Sequence, residues 1–250
     1  MRAQAPAAAA TLEAAVWAAL DEVLDPELDE PITTLGFVAS CDVGHSGAVT
    51  VRLRLPTYFC APNFVFIMVT DARDALARIA GVTSVDVGVE DHFAAADING
   101  GVADQRTFVE TFGDLAESEL DGVRIDFLRK AVLAATDRVC QPLRAVGHEP
   151  PQLANLTLAD PPSDANLQRL RDRRRQLGLP ADDCAPLLID PTTGARVADD
   201  DVTMHLHRAR LTRMSMETNS ELCRSLLHRR YTEASINIRS HGTTERREAK

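Results

Sequence analysis

The stretch LPTYFCAPNFVFIMVT, residues 55–70, decides how the first part of this chain is read. It begins as the end of a strand. Val49, Val51, Leu53 and Leu55 alternate with Thr50, Arg52 and Arg54, a period of two that gathers the apolar side chains on one face. It closes as a helix, because Phe64, Ile67, Met68, Ala72, Leu76 and Ile79 recur at helical spacing over residues 63–80. Pro62 suits the first turn of that helix, where its missing N–H costs nothing. Between strand and helix lies a polar, Pro-bounded turn, 56–62, that carries Cys60. A thiol just ahead of a helix N-terminus sits where unpaired N–H groups favour an anion, and the thiolate is the form that attacks and that binds soft metals. A free cysteine is also commonly a small buried apolar residue, and position alone leaves both readings open.

Outward from this stretch the pattern extends in both directions. Leu12, Val16, Leu20, Val23 and Leu24 mark an amphipathic helix over 11–24, and Asp25-Pro26 ends it, since the residue before proline is pushed out of the α region. Residues 34–42 read as a strand, Gly44 to Gly47 as a turn, and the alternating run after them as the partner strand of a hairpin. Val85, Val87 and Val89 make a third strand. The order helix, strand, strand, helix, strand predicts an α+β fold: a small α-β-β-α-β sandwich with its helices over one side of a mixed sheet.

Asp25 and Glu27 flank Pro26 just beyond the first helix. Two carboxylates on a rigid turn can bind a hard cation, orient the backbone or cap a following turn. With Asp29 and Glu30 so close, a solvated acidic turn is the plainer reading. His92, after the third strand, lies where the chain returns toward the end of the sheet; it reads either as a metal ligand beside Cys60 or as a satisfied loop residue.

Together these landmarks resemble one family. Asp25-Pro26-Glu27 after a first helix, Leu35-Gly36-Phe37-Val38 opening a strand, the alternating second strand, and Thr57 with Cys60 before a helix are similar, in order and spacing, to the small iron–sulfur cluster assembly domain of the SufT and PaaD type. The resemblance covers residues 11–98. It implies a non-catalytic maturation factor that handles a transient iron–sulfur cluster or iron and delivers it to a client metalloprotein. It also implies that Cys60 matches the reactive cysteine, Asp25 and Glu27 the acidic turn, and Thr57 the threonine ahead of the cysteine, with Pro62 supporting the loop. Relatives of this domain serve multicomponent oxygenases, which suggests an oxygenase component of a bacterial monooxygenase as the client. The family places proline directly after the cysteine, whereas Ala61 intervenes here. The paired C-terminal cysteines of the PaaD branch have no counterpart.

Beyond residue 100 the texture changes to helices. Phe108, Phe112 and Leu115 begin a helical region, and Leu120, Val123, Phe127, Ala131 and Ala135 form a stripe over 120–140. Pro150-Pro151 and Pro161-Pro162 read as extended connections, 163–177 as a polar helix, 187–194 as a strand and turn, and 200–232 as helix broken near 216–219. The expected organisation is a flexible leader 1–10, the assembly-like domain 11–100, a mostly helical region 101–234 and a disordered tail 235–250.

A net charge of −10 argues against nucleic-acid or anionic-membrane binding, which need a basic surface. The one dense basic run, 169–175, lacks aromatic support and reads as an exposed helix face, as do His205 and His207. No apolar run is long enough to cross a bilayer, so no membrane partner is expected. The five cysteines are odd in number and scattered, without zinc or ferredoxin spacing; the chain thus reads as cytoplasmic, and Cys140, Cys184 and Cys223 as core or incidental residues. Nucleotide-binding glycine motifs and hydrolase motifs are missing, so no nucleotide cofactor and no enzyme activity are expected. Two other readings remain open: a metal-free adaptor for an oxygenase component, and a thiol-dependent enzyme using Cys60 with Cys41 or His92. A homodimer is compatible with all three.

Overall fold

The computed structural model describes residues 5–116 and 118–241, with side chains described between 11 and 232. The chain falls into two compact units, Met1–Leu120 together with Ser220–Lys250, and Asp121–Asn219.

In the first unit, α1 (Ala5–Asp21) is followed by two-residue strands β1 (Leu24–Asp25) and β2 (Glu30–Pro31), then β3 (Val38–Val43), β4 (Ala48–Leu53), α2 (Pro62–Ala77), β5 (Ser84–Val89), α3 (Ala95–Ala103) and α4 (Phe108–Phe112). The main sheet has the order β3-β4-β5, antiparallel between β3 and β4 and parallel between β4 and β5. A parallel pair needs a crossover, and α2 supplies it. Strand β4 shows why the alternation was informative: Val49, Val51 and Leu53 are buried, while Thr50 and Arg52 point away from the core. Val16 and Leu20 of α1, Val65, Ile67, Met68, Val69, Ala72 and Leu76 of α2, and Val87 and Val89 of β5 complete one hydrophobic core. At roughly 25 cal/mol per Å² of apolar surface, burial of these side chains is the main force holding the sandwich together. The hairpin between β3 and β4 requires Gly47, whose φ of 85° is left-handed and whose missing Cβ leaves room for the Gly81 carbonyl.

The α+β sandwich with a helical C-terminal region is the fold the periodicities predict, with differences at the ends of elements. The first helix stops at Asp21 rather than at 24, because Leu24 and Asp25 pair with Pro31 and Glu30. Strand β3 starts at Val38 rather than at 34. Residues before it form a turn in which Leu35 N–H donates to Pro31 O (3.0 Å) and Gly36 takes a φ of 76°. Ala5 to Ala10, within the expected leader, continue α1; residues 1–4 lie outside the described residues.

The second unit holds α5 (Asp121–Ala145), α6 (Pro150–Leu153), α7 (Ala165–Gln176) and the opening turns of α8 (Val202–His241), whose residues from Ser220 onward belong to the first unit. Its core gathers Val132, Val139, Cys140, Leu143, Leu153, Leu167, Leu170, Leu187 and Leu188. Pro150 opens a short helix instead of a linker, and 187–194 contributes only a bridge, Ile189 with Arg196, across a turn capped by Asp190. The basic run is not a solvated face. Arg174 is fully buried and donates to Pro186 O (2.9 Å) and Leu187 O (2.6 Å), and Arg171 donates to Ala181 O (2.7 Å) and Leu158 O (2.8 Å). His205 is buried as well. These cations hold connections whose carbonyls have no ladder partner. Helix α8 runs unbroken through 216–219 to His241, so Ser235 to His241 of the expected tail are helical; residues 242–250 lie outside the described residues. Among the described residues no helix is long and apolar enough to cross a membrane.

Candidate functional site

The loop after β4 and the loop after β5 lie side by side, as their parallel pairing requires. Glu90 N–H donates to Leu53 O (2.8 Å) and Phe93 N–H to Tyr58 O (3.2 Å), stitching the two loops together. Cys60 is the last residue before Ala61, the N-cap of α2, and Pro62 occupies the first turn. Ala61 offers no side-chain cap, so the inserted residue moves proline one place along while leaving Cys60 directly ahead of the open N-terminus.

Three expected residues meet there. Thr57 Oγ1 lies 3.4 Å from Cys60 Sγ and accepts a bond from Phe59 N–H (3.3 Å). Hydroxyl and thiol can each donate to the other in this contact. His92 is buried and addresses the backbone of Cys60 rather than its sulfur: Nε2 is 2.7 Å from Cys60 O, and Nδ1 accepts from Ala94 N–H (3.2 Å). The second bond assigns the ring proton to Nε2, so Nε2 donates to the Cys60 carbonyl. Both ring nitrogens are thereby used in fixing the loop.

Asp25 plays a different local part. Its buried Oδ1 accepts from Glu27 N–H and Leu28 N–H, both at 2.9 Å, and its carbonyl accepts from Asp29 N–H (2.9 Å). The carboxylate therefore caps the turn 25–29. Burial pushes its pKa up to about 6; the two backbone bonds oppose that rise, and the charges of Glu27 and Glu30 add to it. Glu27 is half-buried in the same turn.

Around Cys60 the surface is aromatic. Tyr58, Phe59 and Phe93 are exposed, yet their rings contact one another, with centroids 5.1 Å (Tyr58–Phe59) and 5.9 Å (Phe59–Phe93) apart. In a chain with 4% aromatic residues, such a cluster beside the candidate thiol is a local concentration. Cys41 lies on β3 opposite Val51, and burial raises its pKa; the charges acting on it are those of Asp42 and Glu13, not of Cys60.

Sequence reasoning expected the C-terminal helix but not its part beside the site. Arg224 of α8 pairs with Glu30 (Nη1–Oε2 2.7 Å), and Arg230 donates to Leu55 O (2.9 Å) and Asp91 O (2.6 Å). Leu227 is buried in the core of the sandwich, and half-buried Cys223 packs against the same core as Cys60. Burial pushes the Cys223 thiol up to about 11, reinforced by Asp25, Cys60 and Glu27. The signal was present in the spacing of Ser220, Cys223, Leu227 and Arg230 along one helical stripe, but nothing local tied that stripe to residues so distant in sequence. Among the described residues no three His, Cys, Asp or Glu side chains converge as a ready-made metal centre.

Known proteins resemble the first part of the chain. The family described as iron–sulfur cluster assembly protein matches residues 13–87. The iron–sulfur cluster carrier protein of Mycobacterium tuberculosis is 40% identical over 79 residues, 32% of this chain and 20% of the carrier. That of Mycobacterium leprae is 37% identical over 82 residues, 33% of this chain and 21% of the carrier. An uncharacterised protein of Methanocaldococcus jannaschii is 32% identical over 81 residues, 32% of this chain but 83% of its own length. The chain thus spans about a fifth of the carrier proteins it matches, and it covers most of the archaeal one. No solved structure matches it. Through the domain that presents Cys60, the chain belongs to the iron–sulfur cluster assembly protein family.

Proposed function

We propose that the protein is a non-catalytic carrier that takes up an iron–sulfur cluster, or iron for one, through Cys60 and passes it to a client metalloprotein in the cytoplasm. The observation that carries this reading is how Cys60 is held. Its carbonyl is clamped by His92 and its sulfur faces a hydroxyl, and among the described residues no imidazole or carboxylate is hydrogen-bonded to that sulfur. A nucleophilic enzyme needs a base at the thiol, whereas a metal-binding thiolate needs a fixed and reachable sulfur. Family membership and the named carrier relatives support the same reading.

Asp25 and Glu27 serve by shaping the acidic turn next to the site. The exposed ring cluster of Tyr58, Phe59 and Phe93 fits a role in docking the client, because exposed aromatic groups of this kind mark interaction surfaces. By analogy with relatives of the domain, the client is an oxygenase component of a bacterial multicomponent monooxygenase.

Anaerobic reconstitution of wild type and Cys60→Ser with iron and sulfide tests the carrier. Labile iron and sulfide retained by wild type and lost in the variant are expected. Client binding without uptake of metal by either protein would replace the carrier with a metal-free adaptor, a reading the aromatic cluster alone could sustain.

A further inference from the structure

We propose that Cys223 is the second thiolate of the Cys60 site, and that the two sulfurs together hold the thiophilic metal cargo. The inference rests on the carrier reading and specifies how the cargo is held. It concerns a helix outside the matched residues 13–87.

The placement of Cys223 follows from its neighbours on α8. Ser220, Cys223, Leu227 and Arg230 recur at intervals of three and four, so they share one helical face. That face is fixed at several points. Leu227 sits in the core, its Cδ2 3.4 Å from where a Cβ on Gly36 would stand. Arg224, beside Cys223, reaches Glu30, and Glu30 pairs with Asp25 across β1 and β2. Arg230, two turns further on, donates to Leu55 O and Asp91 O, at the starts of the loops that carry Cys60 and His92. Cys223 is therefore held near both the acidic turn and the Cys60 loop. It is half-buried, as Cys60 is, and packs on the same core. Asp25, Cys60, Glu27 and Arg224 all act electrostatically on its thiol, in keeping with that placement.

Two thiolates make half of the four-ligand set that iron–sulfur clusters and tetrahedral thiophilic ions use. That half-set agrees with the absence of a converging trio of ligands among the described residues. It also suits the task. A complete set of four protein ligands retains its metal, whereas two sulfurs anchor the cargo and leave the remaining positions to sulfide, a small thiol or the incoming ligands of the recipient. On binding, each thiol forms a sulfur–metal bond and releases its proton to water; no oxidant or reductant is required.

Cobalt(II) is a suitable probe, because its thiolate charge-transfer absorption scales with the number of bound sulfurs. Full-length wild type, Cys60→Ser, Cys223→Ser and Cys184→Ser are titrated anaerobically, Cys184 being exposed and outside the site. Wild type and Cys184→Ser are expected to give equal intensity per bound cobalt, and each of the other variants about half. Wild-type intensity in Cys223→Ser, or no thiolate band in wild type, overturns the proposal. A bismaleimide with a two-carbon bridge, applied to the wild-type protein, tests the placement without any substitution. A Cys60–Cys223 cross-link found by peptide mass spectrometry is expected, and its absence also overturns the proposal. Failure of the carrier reading is distinguishable: cobalt bound through both sulfurs without uptake of iron and sulfide keeps the thiol pair and removes the carrier. Cluster loading undiminished in Cys223→Ser does the reverse.

Discussion

At the scale of single residues, the site is a set of backbone clamps around one thiol. Asp25 illustrates the cost of such a clamp. Its carboxyl is buried and its pKa raised to about 6, so the folded state binds a proton that the unfolded chain has released above its ordinary value of 3.8. Stability from this group is therefore greatest below about pH 4 and is lost as pH rises through 6; at neutral pH the ionised form costs roughly 2–3 kcal/mol. Asp25→Asn keeps an oxygen for the Glu27 and Leu28 N–H groups and removes the charge. The variant is expected to be more stable than wild type at pH 7.5 and no more stable at pH 4, as read from urea midpoints at the two pH values. Greater loss of stability at pH 7.5 would show that the negative charge itself holds the turn.

His92 separates a positioning role from a ligand role. Replacing it with Leu strands the Cys60 carbonyl and the Ala94 N–H, at about 1–3 kcal/mol for buried groups left unpaired. Apo-protein stability is expected to fall and alkylation of Cys60 by iodoacetamide to speed up, because the loop is released. A variant with unchanged apo stability and weaker metal binding would instead make His92 a ligand. The loop positions of Cys60 and His92 were legible in the sequence because turn chemistry and strand ends are local signals, whereas Thr57 entered only through the family resemblance. The direction of the His92 ring was not, since it depends on two loops brought together by the parallel pairing of β4 and β5.

At the scale of elements, α8 is where local reading and structure part. The polar run Glu217-Thr218-Asn219 looks like a helix end, yet the helix continues through it, flanked by buried residues and an ion-paired Glu217. Met216 and Ser220 stay buried one turn apart, and Glu217 faces Arg138 and Arg213. Tertiary partners outweigh weak helix propensity. The two arginines further along are expected to contribute unequally. The Arg224–Glu30 pair is partly exposed and worth at most about 1 kcal/mol. Arg230 serves two loop carbonyls with charge-assisted bonds, and loss of its guanidinium should cost about 1.5–3 kcal/mol. Denaturant unfolding of Arg224→Ala and Arg230→Ala checks the order, with faster hydrogen exchange around residues 55–60 and 91–93 expected in the second variant only. Equal, small losses in both would mean that Leu227, not the arginines, seats the helix.

At the scale of the whole molecule, the chain leaves the sandwich at Leu120, builds a second unit and returns to the first at Ser220. Sequence reading set the change from an α/β part to a helical part at residue 100, where period two gives way to period 3.6. It could not see that the last helix belongs to both, since no local pattern announces a return. The second unit has a core of its own, and at its edge Asp137 is fully buried between Arg144 (2.6 Å) and Arg213 (2.7 Å). Removing a buried partner leaves the opposite charges uncompensated, so Asp137→Ala is expected to destabilise that unit by about 3 kcal/mol. The ligands proposed for the cargo, Cys60 and Cys223, both belong to the first unit. Reconstitution of Asp137→Ala at 10 °C, well below its unfolding transition, should therefore give wild-type iron and sulfide content, while thermal scans show earlier unfolding. Cluster content falling in step with the second unit's stability would mean that Asp121–Asn219 takes part in cargo binding, and the site could then no longer be assigned to the assembly domain and its returning helix alone.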